Sequence, residues 1–269
     1  MKAMIFAAGL GSRLLNETSD KPKALVEIGG KTLLQHIIEK LKNEGITEIV
    51  VNVHHFSEKI KTFLKNNDFG IKIYVSDESE KLLDTGGGLK KAACFFTGNE
   101  PILIHNVDII NNLSIKTLAE FHEKSGALAT LVVRKRETQR YLKFDTDNRL
   151  VGWINKKTGE TLISVHENFE NAVEMAFSGI HIVQPEILKL MPQEDKFSII
   201  DLYLELAKNH VIKGYLDDSE VWMDIGKPEE LAKAREKSGK RDSNSRPRPW
   251  QGRALPTELF PQYGTRGGT

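Results

Sequence analysis

One cysteine stands in 269 residues, Cys94, which excludes an internal disulfide framework and any cysteine-rich zinc site. Lying between two alanines and two phenylalanines, it reads as a small buried apolar residue, the alternative being a nucleophile. No stretch reaches 18 consecutive apolar residues, so no transmembrane helix is expected. The run Ala3 to Ala8 follows Lys2 as in a secretory leader, but it breaks at Gly9 and meets Arg13 soon after, too short for a leader's apolar core. It reads instead as a buried strand of a cytoplasmic protein. Nor does one sign of charge dominate. With 38 basic and 37 acidic residues the chain nets +1, which lacks the field that would hold nucleic acid or an anionic membrane. Six of the basic and two of the acidic residues fall in 240–269, so the first 239 residues carry 32 against 35 and net −3. An apolar share of 39% and a charged share of 28% exclude a disordered or collagen-like chain, and the length suits one or two domains.

Short apolar runs alternate with longer amphipathic stretches. Strands are expected over 3–8, 48–53, 71–75, 101–105 and 127–133. Between them, 32–43, 57–65, 88–96 and 114–124 place apolar residues at helical spacing, and Thr32 with Gln35 forms a capping box at the start of the first. Strand and helix in strict turn imply a Rossmann-like, mostly parallel central sheet with helices on both faces. Such sheets bind ligands beyond the carboxyl ends of their strands. From about 140 a smaller β-rich portion follows: a hairpin over 141–145 and 149–154, then strands over 176–183, 211–216 and 221–225. Helices are expected at 185–191, 199–208 and 228–237. Past Ser238 the helical pattern stops. Residues 239–269 hold four of the nine prolines and read as a disordered basic tail without function, leaving 1–238 as the working domain.

The unusual residues cluster where strands should end. In Ala7-Ala8-Gly9-Leu10-Gly11-Ser12-Arg13, two glycines let the backbone turn tightly and bring its N–H groups to an anion, while Arg13 offers a planar donor fork. The alternative is a purely structural turn. A dinucleotide fingerprint fails because Leu14 occupies the third glycine position, and a Walker A loop fails because Leu25 stands where its first glycine belongs; Gly29-Gly30 is a turn into the next helix. Lys21-Pro22-Lys23 follows closely enough to present Lys23 at the same strand end, or else is a solvated basic loop. Asp84-Thr85-Gly86-Gly87-Gly88, ahead of a helix, would let a planar base lie flat on the chain, or serve as a hinge. Asp108 and Asp224 are isolated acids at strand ends among apolar neighbours. Each is a cap or a cation ligand, and two hard oxygen ligands near a phosphate suggest Mg²⁺.

These segments in this order resemble the sugar-1-phosphate nucleotidyltransferase family from Met1 to about Lys237. Leu83-Asp84-Thr85-Gly86-Gly87-Gly88, Phe177-Ser178-Gly179-Ile180 and Trp222-Met223-Asp224-Ile225-Gly226 are most similar to its N-acetylmuramate α-1-phosphate uridylyltransferases of peptidoglycan recycling. The resemblance implies that Ala8, Gly9, Gly11, Ser12 and Arg13 hold a nucleoside triphosphate, with Arg13 on its outer phosphates and Lys23 on the reacting phosphate. It further implies that Gly86 and Gly87 line the base, that Asp108 and Asp224 bind Mg²⁺, and that Glu174, Gly179 and Lys156 contact the sugar-1-phosphate. Where the family commonly shows Glu-Lys-Pro this chain has Asn155-Lys156-Lys157, and Val107 precedes Asp108 in place of a glycine. The implied activity is Mg²⁺-dependent transfer from a nucleoside triphosphate, UTP favoured, to a sugar-1-phosphate, N-acetylmuramate-1-phosphate favoured. The alternatives are a mannose- or heptose-1-phosphate guanylyltransferase, and a non-catalytic domain that binds sugar nucleotides.

Overall fold

Ala3 and Ile5 of the first strand turn to one side of a sheet and Met4 to the other, and all three are fully buried. A strand dry on both faces needs cover on both. The computed structural model describes residues 1–9 and 11–242, apart from the side chains of Ser12, Leu15, Asn16 and 239–242. The basic tail from 243 therefore lies outside the described residues.

The first half of the chain runs β1 (Lys2–Phe6), α1 (Leu15–Thr18), β2 (Glu27–Ile28), β3 (Lys31–Thr32), α2 (Leu33–Asn43), β4 (Glu48–Val53), α3 (Ser57–Asn66), β5 (Lys72–Asp77), α4 (Asp84–Lys91), β6 (Ile102–Asn106), β7 (Ile109–Asn111) and α5 (Ile115–Ser125). The second runs β8 (Ala129–Arg134), β9 (Arg140–Phe144), β10 (Leu150–Asn155), β11 (Thr161–Ile163), β12 (Val173–Val183), α6 (Ile199–Leu206), β13 (Ile212–Leu216), β14 (Trp222–Asp224) and α7 (Pro228–Asp242).

Ten strands form one sheet in the order β11-β10-β9-β12-β6-β1-β4-β5, with β8 also beside β12 and β13 beside β8. β6, β1, β4 and β5 are parallel. β12 runs against β6, β8 and β9, β13 runs with β8, and β10 runs against β9 and β11. Eight of the ten strands therefore point one way, with β10 and β12 reversed. The eleven-residue β12 joins the two portions: its last residues pair with β6 and β8, its first three with β9. Helices α2, α3, α5 and α7 cover one face and α4 and α6 the other. The expected mixed α/β architecture, with a mostly parallel central sheet clothed on both sides, is the one found. No helix among the described residues is long and apolar enough to cross a membrane.

Several local expectations change. The Thr32 hydroxyl accepts the Gln35 N–H at 3.1 Å, but the Gln35 side chain donates to Glu39 instead of closing the box. Gly29 and Gly30 both take positive φ between β2 and β3, a two-residue hairpin turn. The three glycines expected ahead of a helix lie inside α4. Cys94 is exposed, not buried: it sits in a 3₁₀ turn whose Ala92, with Phe96 just beyond, faces the core and leaves Cys94 outside. The region at 185–191 is a 3₁₀ turn over Pro185–Lys189, and α7 continues four residues past the expected stop.

Three histidines are buried as packing residues. His105 Nδ1 donates to the Asn106 carbonyl while its Nε2 accepts from Asn111 at 2.9 Å; His122 meets Thr130, and the Tyr203 hydroxyl donates to His181 Nδ1. Burial pulls His105 and His122 down to about 4 and His181 to about 3. The unfolded chain binds these protons near pH 6.5 and the folded chain does not. Stability held above that pH is therefore lost as pH falls towards 4, on the order of 2 kcal/mol per histidine by pH 5. Thermal unfolding at pH 7 and pH 5 is expected to show a marked drop in Tm; equal midpoints would contradict it.

Candidate active site

β1 ends at Phe6 and delivers the glycine loop to the carboxyl edge of the sheet. Gly11 adopts φ +67°, and a Cβ there would come within 3.1 Å of Thr18 and 3.3 Å of the Lys23 Cβ. Glycine is required on both counts. Gly9 faces open space on its Cα side, and Ala8 beside it is buried. Ser12 and Arg13 open a short 3₁₀ turn. Arg13 is exposed and makes no ion pair or side-chain hydrogen bond among the described residues.

The two acids, 116 positions apart in the chain, are neighbours in space. β14 pairs antiparallel with β7, setting Asp224 against Ile109, and the Ile225 N–H donates to the Asp108 carbonyl at 2.8 Å. Asp224 Oδ1 accepts the Gly226 N–H at 2.8 Å. A Cβ on Gly226 would lie 2.6 Å from that oxygen and 2.7 Å from Arg13 Nη2, so the bare glycine is what lets the Arg13 guanidinium reach the turn of Asp224. Lys23 Nζ is ion-paired with Asp108 Oδ2, the two side chains being 10% and 19% exposed. Gly11, Lys23, Asp108, Asp224, Gly226 and Arg13 thus form a continuous set: two cations and two carboxylates at the mouth of one strand end.

No group of three or more His, Cys, Asp or Glu suited to a metal occurs among the described residues. Two carboxylates without thiol or imidazole fit a hard cation that keeps waters and substrate oxygens, as Mg²⁺ does, better than one held in an all-protein cage.

Two buried residues that no motif pointed to tie the loop to α4. The Ala7 N–H donates to Asn52 Oδ1 at 2.8 Å, and Asn52 Nδ2 donates to Glu78 Oε1 at 2.7 Å. The other Glu78 oxygen accepts the Leu83 N–H at 3.4 Å. Glu78 is fully buried and Asn52 nearly so, and burial pushes the Glu78 carboxyl up from its usual range. Gly88 packs on both, a Cβ there meeting Glu78 at 2.8 Å and Asn52 at 2.9 Å. Gly86 and Gly87 are buried too; their missing side chains make room for Phe197 and the Asp195 carbonyl, and both N–H groups donate to the Phe197 carbonyl. The close approach read from three glycines is thus made, at Gly86 and Gly87, to residues 195–197 of the same chain. A lone amide in a β-branched strand, and one acid of the run Asp77-Glu78-Ser79-Glu80 at the end of β5, are the available signals for Asn52 and Glu78. Asn52→Ala strands a buried N–H and a buried carboxylate, and a loss of about 1–3 kcal/mol is expected in denaturant unfolding; an unchanged midpoint would contradict the network.

On the other side of the acids, Gly179 sits with φ +77° at a bulge in β12, where a Cβ would meet Asn106 at 2.8 Å. Lys156, just past β10, is ion-paired with Glu174 of β12 at 2.6 Å, both partly exposed. Two of the three residues expected near the sugar, 18 apart in the chain, thus meet.

A family model described as Nucleotidyl transferase matches residues 2–241. N-acetylmuramate alpha-1-phosphate uridylyltransferase of Caulobacter vibrioides is 32% identical over 238 residues, 84% of this chain and 92% of that protein. Mannose-1-phosphate guanyltransferase of Debaryomyces hansenii is 30% identical over 239 residues, 86% of this chain, which spans 62% of that protein's length. HddC from Yersinia pseudotuberculosis superposes with a TM-score of 0.69 at 26% identity, covering 88% of this chain and 98% of that one, and a second structure of it is a complex with GMP-PN. A glycine loop, a buried lysine and two converging acids on this sheet agree with that match over nearly the whole described chain, which belongs to the nucleotidyl transferase family.

Proposed function

We propose that the chain transfers a nucleotidyl group from a nucleoside triphosphate, UTP in the favoured form, to a sugar-1-phosphate, N-acetylmuramate-1-phosphate in the favoured form, releasing pyrophosphate. The observation that carries this is the β7–β14 pairing, which sets Asp224 beside Asp108 while Arg13 reaches Gly226 and Lys23 reaches Asp108. Two polyanions must meet for the reaction, and this strand end brings together two cations and two carboxylates suited to a hard cation.

In this reading the N–H groups of Ala8, Gly9, Gly11 and Ser12 cradle the triphosphate. Arg13, exposed and without an ion pair among the described residues, takes the outer phosphates. Lys23 faces the α-phosphate, its stem held by burial and its charge oriented by Asp108. Gly86 and Gly87, packed on residues 195–197, offer backbone alone to the base. Glu174, Gly179 and Lys156 contact the sugar-1-phosphate. Asp108 and Asp224 hold Mg²⁺, which when bound supplies positive charge against the phosphate oxygens.

A phosphate oxygen of the sugar-1-phosphate attacks the α-phosphorus in line, and the bond to the bridging oxygen of pyrophosphate breaks. Since the second pKa of a phosphate monoester lies near 6, the nucleophile is already a dianion at neutral pH and needs no general base. Orientation and charge neutralisation carry the rate. Keeping both Arg13 and Lys23 together with both acids favours catalysis over a purely regulatory sugar-nucleotide domain, which has no need of the carboxylates.

Purified protein incubated with Mg²⁺, each nucleoside triphosphate and a panel of sugar-1-phosphates tests this by pyrophosphate release. UTP with N-acetylmuramate-1-phosphate is expected to give product; silence with every pair would favour the regulatory domain. A guanylyl reading has its own support in the mannose-1-phosphate guanyltransferase relative and in the GMP-PN complex of HddC, and product with GTP alone would establish it. The catalytic unit is taken as residues 1–238, so removing 243–269 is expected to leave kcat and KM unchanged; a large loss of turnover would give that tail a role.

A further inference from the structure

Arg136 belongs to none of the motifs above, and its setting is unusual for a cation. Its guanidinium stacks on Trp222, with Cζ 4.6 Å from the ring centroid. Nη2 donates to the Phe177 carbonyl at 3.0 Å, and Nε is buried without an acceptor. Arg134, two residues earlier, is ion-paired with Asp217, and Arg235 with Glu17. Arg136 has no ion pair among the described residues. Burial pulls its pKa below the usual value, opposed first by the nearby charge of Asp224. A half-buried guanidinium with no carboxylate at ion-pair distance among the described residues is costly unless an anion arrives from outside.

Its position says where such an anion belongs. Trp222 and Asp224 are alternate residues of β14 and share a face. The Trp222 indole donates to the Ser178 carbonyl at 3.2 Å, and the Ser178 hydroxyl is itself buried without a partner. Gly179 follows at the bulge of β12. A fixed guanidinium therefore stands between β12 and the β14 strand that carries Asp224, whereas the loop carrying Arg13 meets the acids at Gly226.

We infer that Arg136 seats an anionic oxygen group of the acceptor substrate, either the phosphate of the sugar-1-phosphate or a carboxylate borne by the sugar. The inference rests on the nucleotidyl-transfer reading. Stacking on Trp222 and the Nη2 bond to Phe177 fix the plane of the guanidinium and leave Nη1, which has no acceptor among the described residues, for an anionic oxygen, an orientation that a lysine ammonium does not reproduce.

Two acceptors separate the sources. N-acetylmuramate-1-phosphate carries a phosphate and a carboxylate, and N-acetylglucosamine-1-phosphate the phosphate alone. In Arg136→Gln the acceptor KM is expected to rise about 10- to 100-fold, with the nucleotide KM within about twofold. A rise for both acceptors assigns the phosphate, and a rise for the muramate alone assigns the carboxylate. Arg136→Lys should recover part of the loss. A packing role would instead lower Tm and leave the two KM values in step, so thermal unfolding is measured alongside; an unmoved acceptor KM, or an equal rise in the nucleotide KM, overturns the assignment. Calorimetric titration with each sugar phosphate, nucleotide omitted, makes the comparison without turnover. If the wild type binds an acceptor and Arg136→Gln binds it at least about tenfold more weakly, the seat stands even where transfer fails. Equal binding by both, or none by the wild type, overturns it.

Discussion

Asp108→Ala and Asp224→Ala are each expected to lower kcat by about 10²-fold or more while the protein stays folded. The hydrogen bond that joins their strands runs from the Ile225 N–H to the Asp108 carbonyl, backbone to backbone, and the β7–β14 register is likewise a backbone pairing. Neither depends on the carboxylates. Asp224→Ala loses one acceptor, that of the Gly226 N–H, at about 1 kcal/mol. Asp108→Ala costs more, because it leaves the ammonium of Lys23 at 10% exposure without its partner. Asp108→Asn separates the two effects: its amide oxygen still accepts from Lys23, but the negative charge is gone. Steady-state rates across a Mg²⁺ titration, with thermal unfolding beside them, check the pair, and near-normal rates in both alanine variants would remove the metal assignment.

Lys23→Met is expected to cost a similar 10²-fold in kcat, by the magnitude known for removing one group that stabilises transition-state charge. Methionine keeps much of the buried stem and removes the ammonium. The effect should fall on kcat more than on the nucleotide KM, because charge grows at the transferring phosphate as the bond breaks. Arg13→Ala should show the reverse emphasis. Arg13 is exposed and has no ion pair among the described residues, and as a grip on the outer phosphates it serves ground state and transition state alike. Equal division of both losses between kcat and KM would contradict these separate roles.

Much of this was legible because it is local. The continuous apolar run of β1, the helix capped by Thr32 and the 141–154 hairpin follow from residues within a few positions of one another. The resemblance named the glycine loop, Lys23 and both acids from short motifs. It could not show how the acids meet, because the strands that join them, β7 and β14, are three residues each, too short to carry a period. The three glycines left their neighbour unnamed for a related reason. Their spacing says that something comes close, but not that the neighbour is Phe197, more than a hundred residues away. Asn52, Glu78 and Arg136 carry no motif at all; what marks them is burial and the partners they have or lack, which exist only once the chain is folded.

Diffraction from crystals of the full chain grown with Mn²⁺ and a non-hydrolysable UTP analogue puts the account to its sharpest test. The expected result is an anomalous peak between the carboxylates of Asp108 and Asp224, with the triphosphate on the loop from Ala8 to Arg13. A metal peak away from both acids, or a triphosphate bound elsewhere, would contradict it.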